Sequence, residues 1–234
     1  MNYWPSRGYN AQSLNIYKNG TGYKAAGSYS KQVPAVVYSR AWMDSNNFNQ
    51  WSSYYNNMGY RPRELSVALD SSGQPRFTGI WQKRMSEGYQ VWINMNDTDL
   101  QNKWNSLVTA QGYRLEDHAV YSVGGQRRHA VIYVKDGKGF YSFWNMNSAA
   151  LQSRAAEMAG KGYAFKSLNV TEDGQAFSAV FEPAAGTGTT QAMYNMTVES
   201  YQQKFEQYVQ QGGYRIMKLR GYANGQRFLV IFRK

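Results

Sequence analysis

The chain contains no cysteine. That excludes a disulfide scaffold and a thiolate metal centre, and it leaves the redox compartment open. Histidine occurs only twice in 234 residues, so an imidazole-built metal site has few ligands to draw on. Charged residues make up 18%, below the roughly one quarter usual for globular chains. No apolar run is long enough to read as a membrane-spanning helix. The opening Met1-Asn2-Tyr3-Trp4-Pro5 lacks the apolar core of a secretion signal. No block of five or more Lys or Arg marks a basic tail.

Aromatic residues are plentiful at 16%, with 20 Tyr and 7 Trp, and the hydrophobic fraction is 42%. Such a chain folds, because disorder goes with few aromatics. The formal net charge is +11. It either keeps the protein soluble or draws it to an anionic polymer.

A repeat dominates the sequence. Gly-Tyr pairs begin at 8, 59, 112, 162 and 213, in steps of 51, 53, 50 and 51 residues. Each is followed by a turn dipeptide: Asn19-Gly20, Ser72-Gly73, Gly124-Gly125, Asp173-Gly174 and Asn224-Gly225. Such dipeptides between alternating apolar residues predict β-hairpins, because the turn needs positive φ. A short apolar run ending in Met43, Met95, Met146 or Met196 predicts a third strand, with Asn before the Met in three copies. Met in that place fills the core. Helices are predicted over 44–58, 97–111, 147–161 and 197–212. Apolar residues recur there at helical spacing, as in Phe48, Trp51, Tyr55 and Met58. Their expected N-caps are Asp44 or Ser45, Asp97 or Thr98, Ser148, and Thr197. Each helix ends at the Gly of a Gly-Tyr pair, which suits a left-handed C′ residue.

The expected fold is therefore α+β. Tandem units of about 51 residues (helix, β-hairpin, short strand) form a curved antiparallel sheet or partial barrel, with four helices on one face. One continuous array is expected over 1–234, with units near 1–43, 44–95, 96–146, 147–196 and 197–234. Met1 to Trp4 reads as the remnant of a short strand.

The stretch Gly59-Tyr60-Arg61-Pro62, Ser72-Gly73-Gln74-Pro75-Arg76-Phe77 and Trp81, with its copies, resembles the bacterial tandem repeat family. Those repeats accompany β-lactamase-like serine hydrolases and resemble the N-terminal region of polyglycine hydrolases. The resemblance implies a curved sheet with helices along one side. It implies no activity, since the family's chemistry belongs to an attached hydrolase domain.

Catalytic motifs are scarce. Ser28-Tyr29-Ser30-Lys31 matches a Ser-x-x-Lys pattern but sits in a strand rather than opening a helix. His118 and His129 lie on opposite strands of the third hairpin, where they can face each other across the pair, in places that other copies fill with Leu or Phe. No enzyme, metal or cofactor is expected. What recurs is Arg beside aromatics: Arg61, Arg114 and Arg215 after Gly-Tyr, Arg76, Arg127 and Arg227 in the second strand, and Trp81 and Tyr133 at its end. That ladder either packs internally or contacts an extended polymer.

Three functions fit. The first is a non-catalytic binding or adhesion module, extracellular or at the cell surface, for a glycan or glycine-rich peptide. The second is a self-associating structural protein that uses the array ends. The third is a binder of nucleic acid or another anionic polymer. The C-terminal hairpin, with Arg215, Lys218, Arg220, Arg227, Arg233 and Lys234, reads as a charged cap over an array end that has no further neighbour.

Overall fold

A computed structural model describes residues 7–31, 37–83, 87–186 and 188–234. The Met1–Trp4 strand remnant lies outside them. The chain begins with a hairpin, β1 (Asn10–Asn19) and β2 (Gly22–Ser30). Four longer units follow, each a short strand, a helix and a hairpin. They are β3 (Val37–Met43), α1 (Ser45–Asn57), β4 (Tyr60–Leu69) and β5 (Pro75–Lys83), then β6 (Gly88–Met95), α2 (Asp97–Lys103), β7 (Arg114–Val123) and β8 (Gln126–Lys135). Next are β9 (Tyr141–Met146), α3 (Ser148–Gly160), β10 (Tyr163–Val170) and β11 (Phe177–Pro183). The last are β12 (Thr190–Met196), α4 (Val198–Phe205), β13 (Arg215–Tyr222) and β14 (Arg227–Arg233).

The α+β repeat architecture is as the sequence implies, with the antiparallel pairing divided among five small sheets that are not closed into a barrel. In each three-stranded sheet the second hairpin strand lies in the middle, in the orders β3-β5-β4, β6-β8-β7, β9-β11-β10 and β12-β14-β13. Hydrogen bonding thus groups each short strand with the helix and hairpin after it. Each sheet is a blade, and the first strand of each hairpin is its inner edge. The five inner strands neighbour one another in a circle: β1 touches β4 and β13, β4 touches β7, β7 touches β10, and β10 touches β13.

The circle closes between the chain's two ends. Leu219 N–H donates to Ser13 Oγ (3.2 Å), Gly221 N–H to Asn15 Oδ1 (3.1 Å), and Ser28 Oγ to the Ile216 carbonyl (2.9 Å). The C-terminal hairpin is therefore not a cap over an open end. Arg220 is buried and donates to Asn169 and the Val67 carbonyl. Arg233 is tied to Glu182. Of the six charges that look terminal in sequence, Lys218 and Arg220 are interior, Arg227 and Arg233 are half-buried, and Arg215 and Lys234 stay exposed.

Helices fill the slots between blades. Phe48 and Tyr55 of α1 pack on Leu65, Phe77 and Trp81 of their own blade and share a cluster with Ala130, Ile132 and Val134 of the next. Leu100 and Leu107 pack likewise between Tyr133 and Val180. The four Met residues that end the outer strands are buried. The caps are Asp44, Asn96, Asn147 and Thr197. At the second and third helices the cap is thus one residue earlier than expected. The Asn side chains accept from the N–H three residues on, and Asn96 completes a capping box with Asp99.

Candidate functional site

Five blades make five slots, and four helices fill four of them. The slot between the first and second blades holds no helix among the described residues. It is an open cleft of about 990 Å³. Ile16, Tyr23 and Ala25 of the first blade form one wall, and Val37–Trp42 of β3 form the other. The β3 residues facing it are small. Val37, Ser39 and Ala41 stand where Tyr89, Val91 and Ile93 pack against α1 in the next slot. β2 is also the one middle strand whose outer edge pairs with no described strand.

Trp42 stands at the mouth of the cleft. Its φ is +61°, and it is 37% exposed. The equivalent residues are Asn94, Asn145 and Asn195, each near +60°. Asn tolerates this left-handed conformation, whereas a bulky aromatic there is an outlier. The Trp42 ring meets Tyr23 edge-on at 4.4 Å. Nearby, Tyr38 stacks on Tyr55 (4.9 Å), and Arg40 lies over Trp51 while donating to the Tyr55 hydroxyl (3.1 Å).

The second notable region is the axis of the ring. Every inner strand carries a β-bulge at the same place: Gln12, Arg63, Glu116, Lys166 and Met217 are skipped in the pairing register. A bulge re-aims the next side chain. The next residues are Ser13, Glu64, Asp117, Ser167 and Lys218, and their side chains meet. Ser13 donates to Glu64 (2.8 Å), Lys218 donates to Asp117 (2.7 Å), and Ser167 donates to Asp117 in a very short contact. Burial raises Glu64 to about 7, against the pull of Lys218. Lys218 Nζ lies 3.3 Å from Ser167 Oγ. Lys218 is held in a buried ion pair with Asp117.

The histidines do face each other. His118 Nε2 and His129 Nδ1 are 2.9 Å apart, and His129 Nε2 reaches Asp97 Oδ1 at 2.6 Å. Both imidazoles are fully buried, and desolvation lowers both pKa values. The pair is neutral and carries hydrogen bonding from the start of α2 into the blade. Ser28 is tied to a carbonyl and has no described base beside it.

The Arg–aromatic ladder divides. Trp81 and Tyr133 are fully buried under α1 and α2, and offer no face to a polymer. Arg61 and Arg114 are buried in ion pairs with Glu87 and with Asp136 and Glu116. Arg76 and Arg127 are half-buried and paired with Asp70 and Asp97. Arg227 lines a small surface cleft near Tyr194 and Tyr222, and Arg215 is exposed. They form no continuous exposed track. Trp42 was legible as the copy that breaks the Asn-Met pattern. The axial cluster was not, since four different residue types occupy one repeat position across the five blades.

The family model described as polyglycine hydrolase-like, structural repeat matches four segments, 37–84, 86–136, 137–184 and 187–234. No curated protein matches the chain. No helix among the described residues is long and apolar enough to cross a membrane.

Proposed function

Since the chain belongs to the polyglycine hydrolase-like structural repeat family, we propose that it is a non-catalytic binding module whose open slot takes an extended peptide strand. One observation carries the reading. The slot that helices fill at four sister positions holds no helix among the described residues, its β2 wall pairs on the outer side with no described strand, and an out-of-pattern Trp42 stands at its mouth. In the other blades this edge of the middle strand is paired by an outer strand. A peptide added antiparallel to β2 meets the same backbone groups, and recognition through backbone suits a sequence with small side chains. Ala25, Gly27, Ser39 and Ala41 leave room for the backbone to approach. A glycine-rich segment fits that description, and the setting would be adhesion at a cell surface.

Titration of Trp fluorescence with a glycine-rich peptide tests this. Saturable quenching that Trp42→Ala removes, and that persists in salt, is the expected result. Binding to oligosaccharides but not peptides would transfer the cleft to a glycan. Growth of assemblies with concentration, lost on blocking β2 by Ala25→Pro, would favour self-pairing at this edge. A response to neither polymer would end the proposal.

A further inference from the structure

The axis opens at the bulged end of the inner strands into a cavity of about 80 Å³, distinct from the open slot. Its mouth presents Arg63, Lys166 and Arg233 from three blades. Lys166 is paired with Glu116 (3.1 Å) and Arg233 with Glu182 (2.9 Å). Arg63 is different. Its Nη2 donates to two neutral acceptors, the Ala11 and Gln12 carbonyls (2.8 and 2.7 Å), and its buried Nε has no partner. No carboxylate lies at ion-pair distance from it among the described residues. A largely buried guanidinium held only by carbonyls, with a donor left over, is costly unless an anion completes it.

We propose that this axial mouth binds a carboxylate group, with Arg63 as its principal donor and Lys166 beside it. The planar fork of a guanidinium matches a carboxylate, and the cavity has room for such a head group and little more. The ring geometry supports the assignment. The shared bulge brings one residue per blade to the axis, so charges distant in sequence converge without a loop to position them.

Glu64 links the site to pH. It lies next to Arg63 in sequence and is hydrogen-bonded to Ser13 of β1. The charged groups around it are Arg63 on its own strand, Asp117 and Glu116 from β7, Lys166 from β10, Lys218 from β13 and Arg233 from β14. Its carboxyl titrates near 7. Protonation removes a negative charge beside the ligand, so the site gains affinity for a carboxylate as pH falls through neutrality.

Nuclear magnetic resonance titration tests this, with acetate, triglycine and C-terminally amidated triglycine as probes. Saturable shifts at the inner-strand amides next to the bulges are expected with acetate and free triglycine, and none with the amide. Affinity should fall at least about tenfold in Arg63→Gln, as expected for loss of a charge-assisted pair. Should that variant unfold, Lys166→Met provides the same readout from the rim. Affinity should rise from about pH 8 to about pH 6, and Glu64→Gln should flatten that dependence. Shifts equal for free and amidated peptide, a preference for phosphate over acetate, or binding unchanged in both cation variants would each overturn the proposal.

Discussion

Trp42 occupies a backbone conformation that its three counterparts meet with Asn. Holding a bulky residue there costs about 1–3 kcal/mol, and the contact with Tyr23 returns roughly 0.5–1.5 kcal/mol. Trp42→Asn should therefore stabilise the fold by about 1 kcal/mol, raising the melting temperature by about 2–4 °C for a chain of this size. The same substitution should weaken peptide binding, since the ring leaves the cleft. Calorimetry and fluorescence titration on one variant check both halves. A lower melting temperature would mean that the aromatic contact outweighs the strain, and Trp42 would then need no functional explanation.

Helices α2 and α4 each run into a π-helical turn, Trp104–Thr109 and Glu206–Gln211, whereas α1 and α3 stay regular. The cause is one residue. From cap to Gly-Tyr the spacing is 15 in Asp44–Gly59 and Asn147–Gly162, and 16 in Asn96–Gly112 and Thr197–Gly213. The wider turn absorbs the extra residue and returns the Gly to its place at the start of the inner strand. Deleting the exposed Thr109 should thus convert α2 to a regular helix and change stability by less than about 1 kcal/mol, readable by thermal melting. A large loss would show that the turn has a packing role. This is also the scale at which the sequence reads best. Turn dipeptides, helix spans and the terminal Met of each outer strand depend on near neighbours, so they were visible. The caps Asn96 and Asn147 slipped by one because Asp, Thr and Ser just downstream are also good caps. The left-handed Asn before three of these Met residues looks like an ordinary strand residue until the strand's bulge is seen.

At the scale of the molecule the decisive feature is that the array closes, and nothing periodic in a sequence distinguishes an open row of units from a ring. Closure depends on contacts between β1 and β13, some 200 residues apart, and one residue makes them possible. A Cβ at Gly221 would lie 2.6 Å from the ring of Tyr17, closer than such atoms approach, and the colliding group is a rigid aromatic. Open arrays unfold unit by unit from their ends, because each unit touches only its neighbours. A ring has no end to fray, so wild type should melt in one cooperative calorimetric transition. Gly221→Val forces Tyr17 out of the junction, and overpacking of a filled core costs about 1–3 kcal/mol or more. The variant should either melt as a whole at a lower temperature or separate into two transitions, the first releasing the β1–β2 hairpin. Fluorescence and circular dichroism followed together distinguish these outcomes. An unchanged single transition would show that the contact between the first and last blades contributes little, and that the ring behaves as an open row.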